Sequence, residues 1–154
     1  MSRVRVSTLS SRRDARGVSV AFGTRPFDFV PTPRDMHVAT VVRDAVRGNH
    51  LHRDRSELLI LRAEGPWMLR WDESEDGPVR ECRFSGASVV MVEVDPGCSH
   101  AVVNLADTEL VLVSISSGTY EAASGETVSR EVYPAPQRET FHVEPPRDVN
   151  ASDD

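Results

Sequence analysis

Residues 48 to 61 read GNHLHRDRSELLIL. Two of the chain's five histidines stand one residue apart there, and Glu57 follows at the head of an aliphatic run. In a strand, alternate side chains share a face, so His50 and His52 would lie side by side. Two adjacent imidazoles can share a metal ion or a substrate proton. The same letters also suit a solvated turn, and the rest of the chain decides between the two.

Outward from this stretch the pattern is β almost throughout. VSVAF (18–22), HVATVVR (37–43), ELLILR (57–62), PWMLRW (66–71), VRECRF (79–84), SVVMVEV (88–94), HAVVN (100–104) and ELVLVSI (109–115) are short runs rich in β-branched residues. Turn signals separate them: RG at 47–48, EG at 64–65, EDGP at 75–78, SG at 85–86, DPG at 95–97 and AD at 106–107. No window sustains a period of 3.6 over three helical turns. Strands at this spacing predict an all-β sandwich or barrel, and a chain of 154 residues suits one domain of that kind. ESEDG, between PWMLRW and VRECRF, reads as a hairpin loop. Inward residues near one mouth of such a sandwich line a cavity suited to a ligand. The expected divisions are an N-terminal arm at 1–13, the domain at 14–133 and an extended tail at 134–154, whose prolines and acidic end leave little to bury.

Composition narrows the function classes. The chain has no run of eighteen apolar residues that would span a membrane. MSRVRVSTLSSRRDARG is basic and Ser-rich but lacks the apolar stretch of a secretory signal. Cys82 and Cys98 are too few for a disulfide framework, so a cytoplasmic location is expected. Residues 1–83 carry fifteen arginines against twelve acids, or +3, and residues 84–154 carry three against twelve, or −9. With a pI near 5.4 this is not the clustered basic surface of a nucleic-acid binder. Single arginines remain able to grip a small anionic ligand.

A second constellation lies in DPGCSHAVVN, residues 95–104, where Pro96 and Gly97 make a turn and His100 opens the next strand. His50, His52, Glu57 and His100 together offer four N/O donors. Neutral imidazole and carboxylate suit zinc first, with Fe, Ni, Mn or Co as alternatives, and such sites keep a position open for water or substrate.

At these residues the chain resembles the cupin superfamily. Gly48, His50, His52, Glu57 and Gly65 meet its first motif, with the last glycine one place later than usual. Gly86, Pro96, His100 and Asn104 meet the second, with Gly97 directly after the proline. GNHLHRDRSELLIL with HAVVNLADTELVLVSI is similar to the C-terminal cupin domain of the bifunctional reductases of capsular-polysaccharide UDP-sugar synthesis. With DARG at 14–17, the chain also resembles the sugar-nucleotide 3,4-ketoisomerases and 3,5-epimerases. The likeness covers residues 14–133 and implies a double-stranded β-helix, or jelly roll. The reductase half has no counterpart here, so the activity expected is that of a cupin alone.

The resemblance implies proton movement beside the carbonyl of a keto sugar through an enediolate. It implies that His50, His52, Glu57 and His100 hold a divalent metal ion in the capsular-type domains. In the ketoisomerase branch the histidines do acid–base work without metal. Glu57 favours the metal reading because a carboxylate completes the ligand set. His52 and Tyr120 are the catalytic candidates, and His37, Arg43, Arg47 and Asn104 the substrate-binding ones. A cupin dioxygenase with Fe(II) on the same ligands and a non-catalytic small-molecule-binding cupin are the alternatives.

Other residues receive blander readings. Trp67 and Trp71 share a strand face and are expected as core or interface anchors. Cys98 is expected as an inert packing residue, and His142 in the tail is assigned nothing. A homodimer is expected, with residues 3–22 pairing across it to cover an open sheet edge. The expected ligand is a small molecule, with neither nucleic acid nor membrane as partner.

Overall fold

The computed structural model describes residues 2–119 and 125–134. Tyr120, His142 and nearly all of the tail expected at 134–154 lie outside the described residues. Among the described residues there are twelve strands: β1 (Val4–Thr8), β2 (Ser11–Asp14), β3 (Gly17–Val20), β4 (Asp35–Val41), β5 (Val46–His52), β6 (Glu57–Ala63), β7 (Trp67–Asp72), β8 (Arg80–Phe84), β9 (Ser88–Val94), β10 (Ser99–Asn104), β11 (Leu110–Ser116) and β12 (Thr127–Ser129). One short helix, α1 (Arg25–Phe29), is set by Pro26 in its first turn. Among the described residues no helix is long and apolar enough to cross a membrane.

Two five-stranded antiparallel sheets face each other. The first runs β1–β9–β6–β11–β4, the second β12–β5–β10–β7–β8, and β2–β3 form a separate hairpin. This is the jelly roll that the two motifs implied. Alternate residues of facing strands meet between the sheets: Leu59 and Leu61 of β6, Leu69 of β7, Val90 and Val92 of β9, Val102 of β10 and Leu112 of β11. Trp67 is fully buried among them, stacked on Phe84 at 4.1 Å, with its indole N–H donated to Ser88 Oγ at 2.9 Å. Cys98 is buried in this core, and burial pushes its thiol up to about 11, as suits an inert packing residue.

The run ELLILR is apolar on both faces because both are covered. Leu58 points away from the sandwich and packs with Met91 and Val30 beneath Leu9, Phe22 and Phe29. The segment leading through α1 thus roofs the outside of the first sheet.

Two expectations change. Residues 3–22 are expected to pair across a dimer, yet β1 within that segment pairs in its own chain, from Val4 opposite Val94 to Thr8 opposite Val90, and β2 pairs with β3. Val4 is buried there, and the ion pair of Arg5 with Glu93 at 2.6 Å ties the strand down. The turn expected at Arg47–Gly48 is a bulge inside β5. His100 pairs with His50 but Ala101 pairs with Gly48, so Asn49 has no counterpart on β10. Gly48 and Asn49 both have positive φ, 86° and 59°.

Candidate metal centre

The bulge organises the site. Strict alternation would send Arg47 and His50 to opposite faces, since they are three residues apart. The extra residue resets the phase, and Arg47, His50 and His52 line one cavity between the sheets. Gly48 is required there: a Cβ would come 2.6 Å from the His100 carbonyl oxygen. Asn49 faces the other way and brackets the end of the described chain, donating to Tyr133 O at 2.7 Å and accepting from the Val132 and Tyr133 N–H groups. That bracket holds β12 against β5, with Thr127 opposite His52.

The cavity encloses about 170 Å³. His50 and His52 enter it from β5, His100 from β10, and Glu57 from β6 of the facing sheet. The His50 ring centroid lies 4.7 Å from that of His52 and 5.1 Å from that of His100. Donor atoms of His50, His52 and Glu57 all fall within 4.8 Å of one another. Glu57 Oε2 is 3.3 Å from Nε2 of His52 and 3.3 Å from Nε2 of His100. Leu59 and Leu112 supply apolar wall.

The charge states follow from burial and neighbours. Burial first, then the nearby His100 and His52, pushes His50 down to about 3. Burial lowers His100 as well, against the pull of Glu57. For Glu57 burial acts to raise the pKa, but His52, His100 and the Ser114 hydroxyl outweigh it and hold the carboxyl well below the usual range. Two neutral imidazoles facing a carboxylate are donors already in the state that metal binding requires.

The polar inventory tests whether an ion fits. Glu57 Oε1 accepts from Ser114 Oγ, but Oε2 is buried without a hydrogen-bond partner, and so is His100 Nδ1. His52 stands between two carboxylates, with Nε2 at Glu57 and Nδ1 3.2 Å from Glu126 Oε2. A neutral imidazole has one N–H for the two, and Arg55 brings positive charge beside both, with Nε 3.0 Å from Glu126 Oε2 and Nη2 3.4 Å from His52 Nε2. With the N–H given to Glu126, the Nε2 lone pair and the orphaned Glu57 oxygen converge on one point, as in carboxylate–histidine–metal arrangements. The donor set fits a divalent ion of the zinc class.

The other expected residues are distributed unevenly. His37 of β4 lines the cavity, as does Arg47, whose Nε donates to Thr40 O at 3.3 Å. Arg43 does not line it: it is more than half exposed and paired with Asp107 and Asp44 outside. Asn104 is buried away from it, where Nδ2 donates to Val41 O and Thr108 O, both at 2.8 Å, and Oδ1 accepts from Ala106 N. Its three bonds brace the turn after β10, and buried there it does not reach the cavity. Three residues at the site were not anticipated from sequence: Arg55, Glu126 and Thr127. The last two lie more than seventy residues from His52 in a run, ETVS, too short to declare itself a strand.

The chain matches the family model of the polysaccharide biosynthesis C-terminal domain over residues 27–128. Among curated proteins none matches it in sequence. Among solved structures it is similar to NovW, a 4-keto-6-deoxy sugar epimerase from the novobiocin gene cluster of Streptomyces spheroides, at 22% identity and a TM-score of 0.62. That match covers 79% of this chain and 66% of that one. QdtA, a sugar 3,4-ketoisomerase from Thermoanaerobacterium thermosaccharolyticum solved with TDP, matches at 18% identity and a TM-score of 0.60, over 83% of this chain and 88% of that one. CapF, a capsular polysaccharide assembling protein from Staphylococcus aureus, matches at 23% and 0.54, over 63% of this chain and only 26% of its own. At such identities the likeness is one of fold. The chain has the cupin fold and belongs to the polysaccharide biosynthesis C-terminal domain family.

Proposed function

We propose that this protein is a sugar-nucleotide isomerase or epimerase that uses a divalent metal ion held by His50, His52, Glu57 and His100. The observation that carries the reading is the orphaned Glu57 Oε2, buried and 3.3 Å from two imidazole nitrogens at the floor of an open cavity. The names of the similar structures, a 4-keto-6-deoxy sugar epimerase and a sugar 3,4-ketoisomerase, agree with a keto-sugar substrate. When bound, the ion would act as a Lewis acid that polarises the substrate carbonyl and acidifies the adjacent C–H.

The chain's own residues do the rest. Arg47 presents a permanently charged fork to the cavity, suited to a phosphate or a sugar oxygen. Glu126 fixes the ring of His52 through Nδ1, which orients Nε2. With its Nε2 lone pair given to the ion and its N–H to Glu126, His52 would have no site left to take the proton. His37 in the cavity lining and Tyr120 after β11 are the groups left to carry it. Leu59 and Leu112 keep bulk water off one wall.

The test is to incubate the protein as purified with TDP-4-keto-6-deoxyglucose in D2O and follow the sugar by mass spectrometry and NMR. Deuterium gained at a carbon beside the keto group is the expected result, abolished by chelator and restored by zinc. Oxygen consumption without deuterium uptake would identify an Fe(II) dioxygenase, and neither would leave a binding protein.

A further inference from the structure

The loop between β5 and β6 reads RDRS, residues 53–56, and its two arginines go different ways. Arg53 is exposed, whereas Arg55 turns inward and is only 7% exposed. The turn at Gly118 leaves its path open: a Cβ on Gly118 would lie 3.2 Å from Arg55 Cβ and 3.3 Å from Cδ. The head arrives beside the metal-ligand cluster. Nε lies 3.0 Å from Glu126 Oε2, while Nη2 is 3.3 Å from Thr127 Oγ1 and 3.4 Å from His52 Nε2. Nε, despite that ion pair, is buried without a hydrogen-bond partner in good geometry, and Arg55 lines the cavity.

Taking a guanidinium out of water costs several kcal/mol unless its charge and N–H groups are met. Glu126 meets part of that cost, but it also serves His52. What is left over is a planar donor edge on the cavity wall, beside the imidazole that marks the ion's place. An enediolate, and the α-hydroxy ketone from which it forms, carries two oxygens on neighbouring carbons. One cation can hold one of them, and an arginine fork is the shape that holds the other.

We propose that Arg55 binds the second of two vicinal substrate oxygens, so that the site selects α-hydroxy carbonyl compounds. This rests on the metal-assisted keto-sugar reading. In it, the ion's ligands and Arg55 flank the reacting pair of carbons, and Arg47 takes a more distant group.

Oxalate, a planar dianion with two vicinal oxygens, is the probe. Calorimetry on zinc-loaded protein is expected to show binding by the wild type, at least tenfold weaker binding in Arg55→Gln, and partial recovery in Arg55→Lys. Zinc stoichiometry and melting temperature should be unchanged in both variants. Equal oxalate affinity in Arg55→Gln, or a wild type that does not bind oxalate, overturns the proposal. So does loss of zinc from both variants, which would make Arg55 a prop for His52. Should Arg55→Gln fail to fold, Arg55→Lys decides: a threefold or greater loss at constant melting temperature supports the proposal, and unchanged affinity sinks it. Deuterium exchange on the keto sugar separates this idea from its parent. Exchange at the same kcat and KM in Arg55→Gln removes Arg55 and keeps the reading. Absence of exchange in the wild type, with oxalate still dependent on Arg55, removes the reading and keeps the oxyanion site.

Discussion

At His50 and Glu57 the physics is that of charge taken out of water. His50 resists protonation down to about pH 3 because it is buried and stands near His100 and His52, and His100 is lowered by burial too. In the unfolded chain both would titrate near 6.5. Below that pH the unfolded state takes up protons that the folded state refuses, so metal-free protein loses stability as pH falls from about 6.5 towards 3. His50 contributes about 1.4 kcal/mol per pH unit across that window, and His100 acts in the same direction. Glu57 acts in the same direction below its ordinary 4.5, because its folded-state pKa is also depressed. Urea midpoints of the metal-free protein are therefore expected to fall between pH 7 and pH 5, with a shallower slope in His50→Ala. A midpoint that holds steady or rises on acidification would contradict the buried neutral histidines. These cavity residues were legible from sequence because HxH on a strand obliges two side chains to share a face. Arg55 was not, because nothing in RDRS distinguishes an arginine that Gly118 admits to the interior from one that faces water.

Among the elements, β5 does the most to define the site. An uninterrupted strand would have given His50 and His52 but turned Arg47 outward, and the GN pair at 48–49 is what changes the phase. The sequence marks the place, since Gly and Asn favour positive φ, yet it reads equally well as a turn between two strands. Only the pairing with β10 separates the readings. Gly48→Ala is expected to cost about 1–3 kcal/mol through the strained φ of 86°, with further loss from the contact on the His100 carbonyl. Because that contact lies at a proposed ligand, metal affinity should fall together with melting temperature. A Gly48→Ala protein with native stability and native metal affinity would show that the bulge is incidental. β12 teaches the converse: its three residues carry no periodic signal, and its pairing with β5, the bond from Arg53 N to Glu126 O and the bracket of Asn49 on Val132 and Tyr133 bring Thr127 and Glu126 to His52.

For the whole molecule, the two-sheet architecture was readable from strand spacing, and the second sheet's partners were not. One outer edge is β4, where Met36 and Val38 are 66% and 67% exposed beside the cavity residue His37. An apolar edge strand of this kind is a liability in a monomer. We expect it to be covered by a second copy, in place of the N-terminal pairing that β1 has already used within its own chain. Light scattering at micromolar concentration should give a dimer, and Val38→Arg should shift it to monomer. A wild-type monomer would contradict this. The site is likewise a property of the whole, since Glu57 comes from one sheet and His50, His52 and His100 from the other. The most direct test of that arrangement is elemental analysis of protein purified without added metal. About one divalent ion per chain is expected in the wild type, lost from both His50→Ala and His100→Ala while circular dichroism still shows a folded β protein. Full metal occupancy in both variants, or a metal-free wild type that does not take up zinc, would contradict the four-residue site.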